Sequence, residues 1–358
     1  MRKYFSRSFT ICYAIVLTIF ISSCSHQNET VRSIFTLSEE DRKVFRDLID
    51  NDQDSTEFIS SFDLSQIAIK SKVPSSSNSV LLFLHGTAAQ SRLYLPLRDS
   101  LLRRGIGTVL MDLRGHGLSE GEPGDVRDVN DLIRDLRIVM IHLKKKYPEK
   151  KIFLGGHSLG AGLTLKYLQN FAERDSLFIK PDGLVLISGG FVPIPVEECN
   201  SADSIKDKNS SKLVVTSDTV HSKFATLNFL EALTYFPLGF MGIHLKPIRL
   251  VLPDEEIVRE AVSKKLLVSE YSFQFFLAAF PVDLEMAYLL STFPSLLIVG
   301  NQDEVISVCG AKETFRRLNT EEKELLIFSN TNHINVIWRA GGEVGDWIEK
   351  MQQRIKRD

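Results

Sequence analysis

At 358 residues, 44% hydrophobic and 25% charged, the chain carries enough apolar side chains to bury a large core, which excludes a disordered chain and a coiled coil. Its 43 lysines and arginines nearly balance its 45 aspartates and glutamates, for a formal net charge of −2. No long-range field then draws it to a polyanion, and nucleic acid is excluded as an expected partner.

The chain opens with the layout of a secretory signal over residues 1–23. Arg2, Lys3 and Arg7 precede an apolar stretch from Phe9 to Ile21, and the small residues Ser22 and Ser23 follow. The apolar run is shorter than the ~20 residues a membrane-spanning helix needs, so a permanent span is not expected. Ile21-Ser22-Ser23-Cys24 resembles the lipobox of bacterial lipoproteins, in which the cysteine is lipidated and becomes the first mature residue. The resemblance implies a lipoprotein of the bacterial cell envelope, held to a membrane through Cys24, at the outer membrane or the periplasmic face rather than in the cytoplasm. Cys12 lies in the signal. Cys199 and Cys309 are expected to be free thiols, since two cysteines far apart in sequence say nothing about pairing.

Residues 24–55 are expected to form a tether, polar and unpatterned to about residue 36, and then a short helix. Ser38 with Glu39, Glu40 and Asp41 makes a helix N-terminus, and Val44, Phe45, Leu48 and Ile49 share one face. Over 56–190 and 291–358 buried strands alternate with helices. Apolar runs at Val80 to Leu84, Gly107 to Met111, Ile152 to Gly155 and Leu184 to Ile187 are continuous rather than alternating, as in a parallel sheet covered on both faces. Helices are expected over Tyr94 to Arg104, Val126 to Lys146 and Leu159 to Arg174. After Gly190 the alternation stops, and it resumes with strands at Leu296 to Val299 and Leu325 to Phe328, a helix from about Ala311 to Leu318, and a last one across Val344 to Ile355. The roughly hundred residues between, 191–290, are too many for a loop. They are expected to form a cap, with aromatic clusters around Phe224 to Met241 and Tyr271 to Phe280 that pack it onto the body and line an acyl tunnel.

Gly156-His157-Ser158-Leu159-Gly160 has the form of a nucleophile elbow, in which the chain turns from strand to helix so sharply that side chains two residues either side of the serine would collide. Here it follows an apolar strand and opens a helix with Leu163, Leu165 and Leu168, which makes Ser158 the candidate nucleophile. A serine hydroxyl needs a base. Of the eight histidines, His333 alone lies beyond the last strand, in the turn from Ser329. Asp303 stands in the turn after Leu296 to Val299, placed to orient the base, with Glu304 as the alternative acid. Oxyanion donors are expected from the backbone N–H of Leu159, at a helix N-terminus, and from Thr87 in the loop Leu84-His85-Gly86-Thr87, where His85 has a structural role.

Leu84-His85-Gly86, Asp112 through Gly121 and Gly156 through Gly160, in this order and spacing, resemble the monoacylglycerol lipase and lysophospholipase branch of the α/β hydrolases over residues 78 to 190 and 294 to 340. The resemblance implies an α/β-hydrolase fold, an acyl-enzyme mechanism, no metal or other cofactor, and a cap that shapes the acyl pocket. The expected activity is hydrolysis of lipid-like or otherwise apolar carboxylic esters, small molecules. Two alternatives stand beside it: an aminopeptidase on the same residues, holding the substrate amine with Glu197, Glu198, Asp254 or Glu255, and a binding lipoprotein without turnover.

Overall fold

The structure, a computed structural model, describes residues 32–33, 35–51, 54–169, 178–194, 222–239 and 243–355. The expected leader with Cys24, and Glu197, Glu198, Cys199 and the polar stretch from Asn200 to Ser217, lie outside the described residues. In chain order the strands begin with β1 (Arg32–Ser33), β2 (Glu57–Ser60), β3 (Gln66–Lys72), β4 (Ser79–Leu84), β5 (Gly107–Met111), β6 (Lys151–His157) and β7 (Gly183–Ile187). They continue with β8 (Ser222–Lys223), β9 (Ala225–Leu227), β10 (Ile248–Leu250), β11 (Glu270–Tyr271), β12 (Ser295–Gly300) and β13 (Lys323–Phe328).

Eight of them form the central sheet, in the order β13-β12-β7-β6-β4-β5-β3-β2. The six from β4 to β13 in this sheet run parallel, and β2 and β3 join antiparallel at one edge. The inner strands β4, β5, β6, β7 and β12 are buried on both faces, which explains their continuous apolar sequences. Val80, Leu82 and Leu84 of β4 enter one core with Leu154 of β6, whereas Leu81 and Phe83 enter the other with Phe153, as the two-residue period of a strand requires. The edge strand β2 was not anticipated. Four residues, Glu57-Phe58-Ile59-Ser60, are too few to establish an alternation.

Helices α1 (Glu39–Asp50), α2 (Leu95–Arg103), α3 (Asp131–Lys146) and α4 (Leu159–Gln169) fall where apolar spacing predicts them. Ser38 caps α1 in a reciprocal box with Asp41. Helix α3 starts at Asp131 rather than Val126, because Asp131 carboxylate accepts from Asp128 N–H at 3.0 Å and closes a turn ahead of the helix. The region 191–290 contributes α5 (Phe229–Gly239), α6 (Glu256–Ser263), α7 (Phe273–Ala279) and α8 (Leu284–Leu290), with β9, β10 and β11 in a small sheet of their own. The last helices are α9 (Val308–Arg317), α10 (Val336–Arg339) and α11 (Gly341–Ile355). Helices α3, α4, α7 and α8 cover one face of the central sheet, and α2, α10 and α11 the other.

The short helix expected after the tether is α1, and Leu37, Phe45 and Ile49 bury themselves against Ile257, Val258 and Ala261 of α6. One expectation is corrected. Cys309, expected to be a free thiol, is disulfide-bonded, and the chain's other cysteines all lie outside the described residues. Separation along the chain does not limit how closely a fold brings two thiols together.

Candidate active site

Strand β6 delivers the elbow. Ser158 sits between the strand and α4 with φ at +52°, a conformation that costs a non-glycine residue about 1–3 kcal/mol and is held only by surrounding structure. The flanking glycines are sterically required. A Cβ on Gly156 would stand 2.3 Å from the carbonyl carbon of Gly160, and one on Gly160 would stand 2.3 Å from the carbonyl oxygen of Leu84. The turn therefore packs directly on the loop that follows β4.

Asp303 and His333 come from the turns after the two neighbouring strands, β12 and β13, and those turns are tied together by Gln302 N–H donating to Thr331 O at 2.9 Å. His333 Nδ1 lies 2.9 and 3.0 Å from the two carboxylate oxygens of Asp303. Its Nε2 lies 3.0 Å from Ser158 Oγ. Asp303 Oδ1 also accepts from the N–H groups of Val305 and Ile306 at 2.9 and 2.8 Å. Burial pushes this carboxyl upward, but the charge and hydrogen bond of His333 and the Ile306 N–H outweigh it, and the group is held below the usual carboxylate range. With Asp303 ionised, the imidazole donates from Nδ1, leaving Nε2 free to accept from Ser158 Oγ. Glu304, the alternative acid, points elsewhere: its carboxylate accepts from the backbone N–H of His333 at 3.1 Å and does not bond the ring.

The loop after β4 holds a line of amides whose partners alternate. Gly86 N–H donates to Tyr94 Oη and Ala88 N–H to Tyr271 Oη, each at 2.8 Å. Between them, Thr87 N–H has no acceptor among the described residues, and neither has Leu159 N–H at the start of α4. Both residues expected to serve an oxyanion thus present unengaged amides, and Thr87 and Ser158 border the same cavity.

The two tyrosines are functional supports that the sequence did not disclose. Tyr94 Oη donates to His157 Nδ1 at 2.9 Å, and His157 Nε2–H donates to the carbonyl of His333 at 2.9 Å. Tyr271 Oη donates likewise to His116 Nε2 at 2.9 Å, whose Nδ1–H donates to Arg114 O at 3.1 Å. His85 holds the same loop from beneath, donating from Nδ1 to Gly86 O at 2.8 Å and accepting at Nε2 from Leu113 N–H at 3.0 Å. Its expected structural role matches these bonds. Burial depresses all three, His85 to about 4 and His116 and His157 to about 3, with the charge of a neighbouring histidine adding to the effect at the latter two.

These depressed values have a consequence for stability. In the unfolded chain histidine binds its proton near 6.5, so between that value and 3–4 the unfolded state binds protons that the folded state refuses. The stabilisation is complete above 6.5 and is lost as pH falls below it. Thermal denaturation followed by circular dichroism should give a level Tm from pH 8 to 7 and a falling one from 6.5 to 5. A Tm that stays level down to pH 5 would show that these rings are not held neutral.

A cavity of about 810 Å³, counting its open mouth, leads to Ser158 and His333. Its walls are Phe35, Leu37 and Phe45 from the N-terminal segment, Phe224, Leu250, Leu252 and Leu267 from the region 191–290, and Ile334, Ile337 and Trp338 from the segment after His333. No carboxylate lines it among the described residues. Of the aromatic residues expected in an acyl tunnel, Phe224 reaches the cavity, while Tyr271 and Phe275 are fully buried and serve packing. Asp254 pairs with Arg259 and Glu255 with Arg42, so neither stands at the cavity to receive an amine.

Comparison with known proteins agrees with this architecture. The family model described as serine aminopeptidase, S33, matches residues 75–335. The monoglyceride lipase of Rattus norvegicus is 34% identical over 134 residues, which are 37% of this chain and 41% of that protein. The match thus spans about two fifths of the length of such curated relatives. Among solved structures, a soluble variant of monoglyceride lipase from Saccharomyces cerevisiae superposes with a TM-score of 0.60 at 15% identity, covering 85% of this chain and 96% of that one. The monoacylglycerol lipase of Paleococcus ferrophilus gives 0.52 at 19% identity, covering 80% and 99%. At such identities the superpositions establish the α/β-hydrolase fold.

Proposed function

The chain belongs to the serine aminopeptidase, S33, family of α/β hydrolases, and from that premise we propose that it hydrolyses carboxylic esters of lipid-like or otherwise apolar acyl substrates through an acyl-enzyme. The observation that carries this reading is the cavity: apolar on nearly every wall, free of carboxylates among the described residues, and opening on Ser158 and His333. A site of this kind desolvates a hydrocarbon chain and leaves the few polar groups to position the ester. The matched monoglyceride lipases favour the same substrate class.

In this reading Ser158 Oγ attacks the ester carbonyl as His333 Nε2 takes its proton. The oxyanion accepts from Thr87 N–H and Leu159 N–H, which need no rearrangement because no acceptor among the described residues competes for them. His333 then gives the proton to the leaving alkoxide oxygen. Water, activated by the same imidazole, releases the acid and restores Ser158. Asp303 holds the ring in the required tautomer and balances the imidazolium.

The aminopeptidase alternative needs a carboxylate to hold the substrate amine; of its four candidates Asp254 and Glu255 are paired away from the cavity, and Glu197 and Glu198 lie outside the described residues. The deciding experiment is a panel of p-nitrophenyl esters of graded acyl length beside aminoacyl p-nitroanilides. We expect turnover of the esters, with kcat/KM rising from acetate toward medium chains, and none of the anilides. Faster cleavage of anilides bearing a free amine would overturn the ester reading.

A further inference from the structure

The N-terminal segment from Arg32 to Leu37 precedes the stretch that the family model matches, which starts at residue 75, yet it forms a wall of the active-site cavity. The ring of Phe35 stacks on His333 at 6.0 Å between centroids, with an interplanar angle of 29°, and meets Phe224 edge-on at 5.8 Å. Leu37, buried, continues the same wall. The segment is built into place at both ends. Strand β1 pairs in parallel with β8, Phe35 N–H donates to Ser33 Oγ at 3.1 Å, and Asn332, the residue before His333, donates from Nδ2 to Thr36 O at 3.2 Å. Beyond it, Ser38 caps α1 and Asn335 Nδ2 reaches Asp41 at 3.4 Å.

We propose that Phe35 is a specificity-determining residue: this strap closes the cavity over His333 and presents an aromatic face to the hydrocarbon chain of the substrate, so it sets the preference for long over short esters. The proposal rests on the ester-hydrolase reading. It follows from where the contacts fall. Phe35 reaches the ring face of His333, not the edge nitrogens that bond Asp303 and Ser158, so its loss removes apolar contact with substrate and leaves the proton path intact. An acetyl ester is too short to gain from that contact, whereas a decanoyl ester buries apolar surface against it, and the gain scales with the area buried.

The test compares full-length wild type with Phe35→Ala and Phe35→Leu on p-nitrophenyl acetate and p-nitrophenyl decanoate. With Phe35→Ala, kcat/KM for decanoate should fall about tenfold, equivalent to ~1.4 kcal/mol, chiefly through KM. For acetate it should change less than about twofold, a difference of ~0.4 kcal/mol. Phe35→Leu should recover most of the decanoate activity. An equal fall on both esters would assign Phe35 to general support of the His333 loop and overturn the proposal, as would an unchanged ratio. A wild type that turns over neither ester overturns the ester reading itself, and the strap's role with it.

Discussion

Replacement of Ser158 by alanine should lower kcat on p-nitrophenyl esters by on the order of 10⁶-fold while the fold persists, because it removes the hydroxyl that lies 3.0 Å from Nε2 of the His333 base. The same variant should lose labelling by a fluorophosphonate probe, which reacts with the activated hydroxyl alone. Its stability should hold or rise, since the elbow forces residue 158 to φ +52° whichever side chain it carries, and Ser158 N–H still donates to Ile187 O at 2.9 Å. Labelling that persists in Ser158→Ala would assign the nucleophile to another residue. A variant that fails to fold would be recognised by its circular dichroism, and Ser158→Gly, which accepts the same φ without strain and also lacks the hydroxyl, then carries the comparison.

The second large effect belongs to Asp303. Asp303→Asn should reduce kcat by about 10⁴-fold with KM nearly unchanged, because an amide facing Nδ1 favours the tautomer in which Nε2 carries the proton and can no longer accept one from Ser158. Asp303 lies 5% exposed with both oxygens against the imidazole, so no water substitutes for the lost charge. Glu304→Gln provides the contrast. Its carboxylate accepts from His333 N–H at 3.1 Å, a bond that a glutamine carbonyl also accepts, so the loss should stay below about tenfold, as for one retained hydrogen bond weakened by the loss of charge. Burial and the nearby Asp303 charge already raise the Glu304 carboxyl, against the lowering effect of the His333 N–H, which makes the exchange for a neutral side chain milder still. Near-wild-type kcat in Asp303→Asn together with a collapse in Glu304→Gln would transfer the orienting role to Glu304.

Much of the fold was legible because its rules are local. The runs Val80 to Leu84 and Ile152 to Gly155 had to be strands buried on both faces, and β4 and β6 cover them within two residues at either end. The capped start of α1 was legible from Ser38 and Asp41, which bond each other three positions apart. Where the signal was non-local or short, it failed. The turn that delays α3 depends on a bond between Asp128 and Asp131 that competes with helix for the same amide. Glu304, the alternative acid, could not be told from Asp303 by its place in the turn and is half-buried against His333 N–H, because how a turn winds is decided by the loops beside it.

The sequence by itself determined that Ser158, Asp303 and His333 are the candidate nucleophile, acid and base, because an elbow is a steric demand on five consecutive residues and the other two candidates must stand at the ends of later strands. It also determined the parallel sheet that brings those strand ends to one edge. Only the tertiary structure decided what surrounds them. Tyr271 reaches Ala88 across 183 positions and Thr36 meets Asn332 across 296, and a residue's own neighbours in sequence carry no record of such partners. Phe35 stands in a stretch that reads as a polar tether; that it stacks on His333 and lines the cavity with Leu37 is a property of the packed chain, where apolar side chains find whichever surface lets them leave water.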